Sequence, residues 1–162
     1  MVESKLIGET QTSNNQPEQN RMDRFASIRM TGTSELMVCE VHETSQDGRD
    51  WLSQVIKFTN REWPNVQHSV LSAFSKTSRC AVVDCDRLVE VGAHLTFDGK
   101  QLLIVPCCKT HNAVGNLDKL GRHARLKPYQ LYAEINVKPG YVFEDKEGKY
   151  YLTQALPSLL DE

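Results

Sequence analysis

Residues 80–112 read CAVVDCDRLVEVGAHLTFDGKQLLIVPCCKTHN, and this stretch decides the expected fold. Two apolar segments flank Asp98-Gly99, a pair that favours a type I′ hairpin turn. A two-residue turn there sets Phe97 opposite Lys100. Leu95 then faces Leu102, His94 faces Leu103, Ala93 faces Ile104 and Val89 faces Cys108. Strand alternation predicts an apolar face of Val89, Val91, Ala93, Leu95, Leu102 and Ile104. The other face is mixed, with Glu90, Gly92, His94, Thr96, Gln101, Leu103, Val105 and Cys107.

Four of the five cysteines lie in this stretch. Cys80-x4-Cys85 and Cys108-x2-His111 form two short ligand pairs at the open end of the hairpin, so folding it brings the second pair back to the first. Thiolates with one imidazole suit tetrahedral zinc, and such an ion contributes to folding directly because it gathers ligands that the unfolded chain disperses. Cys80, Cys85, Cys108 and His111 are therefore the expected ligands of a structural zinc. Cys107 competes with Cys108, since neighbours on an extended chain point to opposite sides. The two-residue spacing to His111 favours Cys108 and leaves Cys107 as a core thiol.

Cys80-x4-Cys85, Gly92-Ala93-His94-Leu95 and Ile104-Val105-Pro106-Cys107-Cys108-Lys109-Thr110-His111-Asn112 together resemble the zinc-bearing, treble-clef-like branch of the HNH endonuclease superfamily. The resemblance covers roughly residues 78–120. It implies a ββα-metal unit in which His94 is the general base and Asn112 supplies a ligand to a second, catalytic ion such as Mg²⁺. In that chemistry a neutral imidazole takes a proton from the attacking water while a hard cation stabilises charge on the phosphate. The chain departs from the pattern at Ala93, where active enzymes carry an acidic or His ligand, and at Leu103, where they carry an Asn that orients the base. The resemblance thus implies a degenerate site, with an active metal-dependent endonuclease as the alternative. Glu90 and Asp98 are the nearest substitute carboxylates.

Outward from this module, residues 1–23 are rich in Gln and Asn and poor in apolar side chains, and read as a disordered tail. Residues 24–76 form an N-terminal α+β portion with a strand at Glu35–Val41, which buries Cys39, and a helix over Asp50–Phe58. A second helix is expected near Pro64, with Val66, Val70, Leu71 and Phe74 as its buried stripe and His68 at its edge. Residues 77–128 are the metal module, closing with a helix from Lys109 to Leu120. Residues 129–162 hold a second hairpin, Tyr141-Val142-Phe143 with Tyr150-Tyr151-Leu152, packed on the same domain. The predicted fold class is α+β: a zinc-stabilised ββα module with an N-terminal strand, two short helices and a C-terminal hairpin.

The chain has 162 residues and a net charge of −2, which excludes a long multidomain enzyme and gives no overall attraction to phosphate. The charge is polarised, however. Residues 107–128 set Lys109, Lys119, Arg122, Arg125 and Lys127 against Asp118 alone, and these five bases are the candidate nucleic-acid contacts. Neither an export signal nor a membrane span is recognisable, and clustered cysteines without a disulfide framework point to a reducing cytoplasm. The expected function is a small zinc-held module that binds nucleic acid or a protein partner.

Overall fold

The computed structural model describes residues 5–7, 26–43, 50–62, 64–65, 71–112, 124–153 and 156. Its centre is the expected hairpin, β4 (Val91–Thr96) and β5 (Leu102–Cys107). The pairing, however, is shifted by one residue: Val91 faces Cys107, Ala93 faces Val105, His94 faces Ile104 and Leu95 faces Leu103. The cause lies in the turn. A type I′ turn needs positive φ at both central residues, and here Gly99 has it at φ 78° while Asp98 does not. Asp98 instead turns its carboxylate onto the chain, where Oδ1 accepts from Lys100 N (2.8 Å) and Gln101 N (3.0 Å). Gly99 N donates to Thr96 Oγ1 (2.9 Å), so residues 97–101 form a longer, side-chain-braced loop.

Because side chains alternate, the shift exchanges the faces of β5 relative to β4. Val91, Ala93, Leu95, Leu103, Val105 and Cys107 now share one face, and Gly92, His94, Leu102 and Ile104 the other. Every residue of β5 is buried, as its unbroken apolar run requires of a strand covered on both sides.

The predicted α+β class does not hold, because the molecule is mainly β. Around the hairpin lie β1 (Lys5–Ile7), β2 (Ala26–Met30), β3 (Leu36–Glu43), β6 (Ala124–Leu126), β7 (Leu131–Ile135), β8 (Val142–Glu144) and β9 (Tyr150–Leu152). They form one mixed sheet in the order β1-β2-β7-β5-β4-β3-β9-β8, with β6 also on β3. Pairing is antiparallel except between β3 and β9. The β8–β9 hairpin and β3 fall where the sequence places them. Strands β2, β6 and β7 are the unexpected ones, and the first and last of them pair with each other and join β5, turning a peripheral hairpin into the middle of a sheet. Residues 24–76, 77–128 and 129–162 all contribute strands to this sheet. The three residues of β1 come from the segment read as a tail, whose other residues lie outside the described ones.

One full helix, α1 (Trp51–Glu62), is present among the described residues. Asp50 Oδ1 accepts from Ser53 N (3.3 Å) and caps its start. Trp51, Leu52, Val55 and Phe58 recur at helical spacing and are all buried, each worth roughly 1.5–3 kcal/mol. They pack with Leu102, Ile104, Ala133 and Ile135 on one face of the sheet. Most of the second expected helix, residues 66–70 with Val66, His68 and Val70, lies outside the described residues; Leu71 is helical and buried, and a short 3₁₀ turn follows at Ser72–Phe74, where Phe74 is buried. The helix expected at Lys109–Leu120 is described only as α2 (Lys109–Asn112), residues 113–123 lying outside.

Helix α1 lies directly on Gly92. A Cβ at that position would stand 2.8 Å from Ile104 Cγ2, 3.2 Å from Trp51 Cβ and 3.3 Å from Leu52 N. Gly92→Ala is expected to cost about 1–3 kcal/mol by forcing the helix off the strand. Equilibrium urea unfolding measures it, and an unchanged midpoint would show that α1 does not sit on β4.

Candidate metal centre

The other face of the sheet is closed differently. Residues 79–89 form a small loop closed by Cys80 N to Arg87 O (2.8 Å) and held to its neighbours by Ala81 N to Pro106 O (2.9 Å) and Val83 N to Arg125 O (2.8 Å). Lys127 N donates back to Ala81 O (3.0 Å), so the loop is wedged between the end of β5 and β6. Within it Cys85 N reaches Val82 O (3.1 Å), and Asp84 adopts φ 66°, a left-handed conformation that Asp tolerates better than most residues. This reversal turns Cys85 back towards Cys80.

The second ligand pair is placed by α2. Glu90 Oε1 accepts from Lys109 N (2.8 Å) at the start of this turn, and Arg87 Nη1 donates to Thr110 Oγ1 (3.1 Å). One helical turn separates Cys108 from His111 and sets both on one side.

Cys80, Cys85, Cys108 and His111 therefore come together, with all four ligand atoms within 4.8 Å of one another. Cys85 Sγ lies 3.9 Å from Cys108 Sγ, and His111 Nδ1 lies 3.4 Å from Cys108 Sγ and 3.5 Å from Cys80 Sγ. A tetrahedral ion with metal–sulfur bonds of ~2.3 Å and metal–nitrogen bonds of ~2.0 Å has edges of about 3.8 Å between sulfurs and about 3.5 Å from sulfur to nitrogen. The cluster fits a four-ligand shell. The three cysteines are buried and the histidine is half-buried. Their neighbours are Leu36, Val38, Ala93, Leu95, Leu103, Val105, Leu126 and Tyr132, the second apolar layer of the molecule.

Cys107 has a different part. Its thiol hydrogen-bonds to Cys80, and this contact chiefly holds the Cys80 thiol down at about 4 against the opposing effect of burial. The same bond, with burial, pushes Cys107 well up. Burial raises Cys85 to about 11, a cost that a bound cation offsets when it takes the thiolate.

The candidate catalytic residues are not gathered in this way. His94 follows Ala93 and precedes Leu95, both of which face the cysteines, so alternation places it on the opposite side with α1. There its ring meets Trp51 edge-on, with centroids 5.8 Å apart. Asn112 is the last residue of α2, and its side chain lies outside the described ones. Glu90 and Asp98 hold main-chain N–H groups. No protein family, curated protein or solved structure matches the chain.

Of the five bases read as nucleic-acid contacts, Lys119 and Arg122 lie outside the described residues. Lys109 is exposed beside Glu90, and Arg125 reaches Glu35 across 3.5 Å, both ends exposed. Lys127 turns inward, its Nζ donating to Cys80 O (2.8 Å) and Cys85 O (2.9 Å). The link between Lys127 and the metal loop is the site feature that the sequence did not disclose. No helix among the described residues is long and apolar enough to cross a membrane.

Elemental analysis of purified protein separates the two adjacent cysteines. Cys108→Ser is expected to lose bound metal, and Cys107→Ser to keep it with weakened retention. Equal loss in both variants would sink the assignment of Cys108 over Cys107. Metal removal by a chelator is expected to lower the thermal midpoint strongly, because the ligand loop and α2 carry little regular structure of their own.

Proposed function

We propose that this chain is a non-hydrolytic binding module whose second sheet face is held by a structural zinc ion. The observation that carries the reading is the complete Cys₃His shell, which leaves no position for water or substrate. Structural zinc sites are closed in this way, whereas catalytic ones keep a ligand position open. Thiolate-rich, tetrahedral coordination also favours zinc over Mg²⁺ or Ca²⁺, which take oxygen ligands. The placement of His94 supports the same conclusion, since a general base must reach the proton it abstracts and His94 packs on Trp51. No other group of three or more His, Cys, Asp or Glu ligands among the described residues offers a second metal site.

A protein is the better supported partner. Lys127 serves the metal loop and Arg125 lies against Glu35, which thins the basic track that a phosphate backbone would follow. Meanwhile Leu88, Tyr129 and Phe143 are large apolar side chains left exposed. They are the first positions to truncate in a search for the contact surface.

The zinc-loaded protein should leave plasmid, single-stranded DNA and RNA intact in Mg²⁺, Mn²⁺ or Ni²⁺, with His94→Ala behaving identically. Cleavage by the native chain that disappears in His94→Ala would replace this proposal with the endonuclease reading. Tight, salt-dependent retention of DNA or RNA without cleavage would move the partner from protein to nucleic acid.

A further inference from the structure

We propose that Lys127 is the counter-ion and positioning residue of the metal centre, an inference that rests on the structural-zinc reading. A divalent ion with three thiolates and one neutral imidazole carries one net negative charge. The three sulfurs are buried, so that charge lacks the solvent that would screen it at the surface. Lys127 answers it from the protein side. Its ammonium sits at the mouth of the ligand loop, donating to the carbonyl oxygens of Cys80 and Cys85 at 2.8 and 2.9 Å. These are the two candidate ligands that the loop supplies, so one side chain fixes the separation of their main chain.

The placement is rigid. Lys127 N donates to Ala81 O inside the loop (3.0 Å), and Lys127 O accepts from Thr31 Oγ1 (2.7 Å). Thr31 is buried, and its hydroxyl also accepts from Gln130 N (2.8 Å). The residue after β2 thus holds the main chain that aims the ammonium. Two nearby guanidinium groups are directed elsewhere, Arg79 to Asp86 O (2.8 Å) and Arg87 to Thr110 Oγ1 (3.1 Å), and both are exposed. Lys127 is half-buried, so its attraction for the thiolates is screened less than theirs.

Two effects follow. Electrostatically, the ammonium favours the thiolate form of the shell and so favours the bound ion. Mechanically, it keeps the Cys80 and Cys85 main chain closed when the ion would otherwise leave. Groups that orient metal ligands in this way typically change metal affinity by about 10–100-fold when removed.

The test compares the full-length native chain with Lys127→Met, Lys127→Gln and Lys127→Arg. Zinc transfer to a chromophoric chelator is followed as a rate and as an equilibrium. The cobalt-substituted forms are compared by their thiolate-to-metal absorption, and unfolding of the metal-free forms is measured in parallel. Lys127→Met is expected to release zinc about 10–100-fold more readily and to shift the cobalt absorption. Lys127→Gln should behave like Lys127→Met, and Lys127→Arg should restore most of the native behaviour, since charge is the deciding property. Equal loss of stability with and without metal, with unchanged zinc transfer and cobalt spectrum, would reduce Lys127 to packing and overturn the proposal. Should Lys127→Met fail to fold, Lys127→Gln against Lys127→Arg makes the same comparison, and equal transfer in those two overturns it. A native chain that takes up no zinc overturns this inference together with the structural-zinc reading, whereas native uptake with unchanged transfer in Lys127→Met overturns this inference alone.

Discussion

The pairing of His94 with Ile104 across the central hairpin is the constraint on which the rest of the structure depends. A strand has only two faces, so a single-residue slip between β4 and β5 would move every side chain of one strand to the other layer. In the observed register Val105 and Cys107 lie with Ala93 and Leu95, and Leu102 and Ile104 lie with Gly92. Cys107 can then reach Cys80, Cys108 can enter the cluster, and α1 finds both the small residue and the apolar surface it needs. The register is set locally, by the Asp98 carboxylate and the Thr96 hydroxyl holding main-chain N–H groups of the loop.

That dependence explains which parts of the molecule were legible in the sequence. The hairpin was legible because its turn residues and apolar flanks are local signals, and α1 because five apolar residues recur at helical spacing from Trp51. The grouping of Cys80, Cys85, Cys108 and His111 was legible from short Cys and His spacings and the return of the hairpin. The register was not, because Asp-Gly admits more than one loop and the outcome turned on side-chain bonds from Thr96 and Asp98. Nor were β2 and β7. Ala26–Met30 and Leu131–Ile135 are five-residue segments with polar members, Arg29 and Glu134, which meet diagonally across the pair in a salt bridge (2.5 Å) when the strands pair. Burial raises the Glu134 carboxyl while Arg29 opposes the rise, and neither residue announces that relation in isolation.

The error in fold class has the same origin. A hairpin followed by a helical turn suggests a ββα unit when read alone, and the resemblance to HNH enzymes reinforced that reading. What overturned it was tertiary: β7 pairs with the free edge of β5, and β3 with that of β4, so the hairpin becomes the interior of a wide sheet. His94, on the interior strand β4, is half-buried and lies in the layer of Trp51 on the side away from the cysteines.

The two faces of the sheet are closed by different physical means. On one, α1 supplies large apolar side chains, Trp51, Leu52, Val55 and Phe58, and hydrophobic burial suffices to hold the cover in place. On the other, the covering segment supplies Cys80, Ala81, Val82 and Cys85, side chains too small to recover by burial alone the entropy of ordering an irregular loop. An ion held by the cluster would supply what those residues lack, by linking the loop to Cys108 and His111 at the far end of the hairpin. The basic residues after α2 acquire a physical role in that scheme. Lys127, which the sequence presents as one more surface charge, holds the Cys80 and Cys85 carbonyls, where a metal-bound cluster of thiolates would call for a cation, and Thr31 ties it to the end of β2. The ligand loop is thereby coupled to a strand from the opposite end of the chain, so that an ion bound there would fasten the whole sheet and not its own module alone.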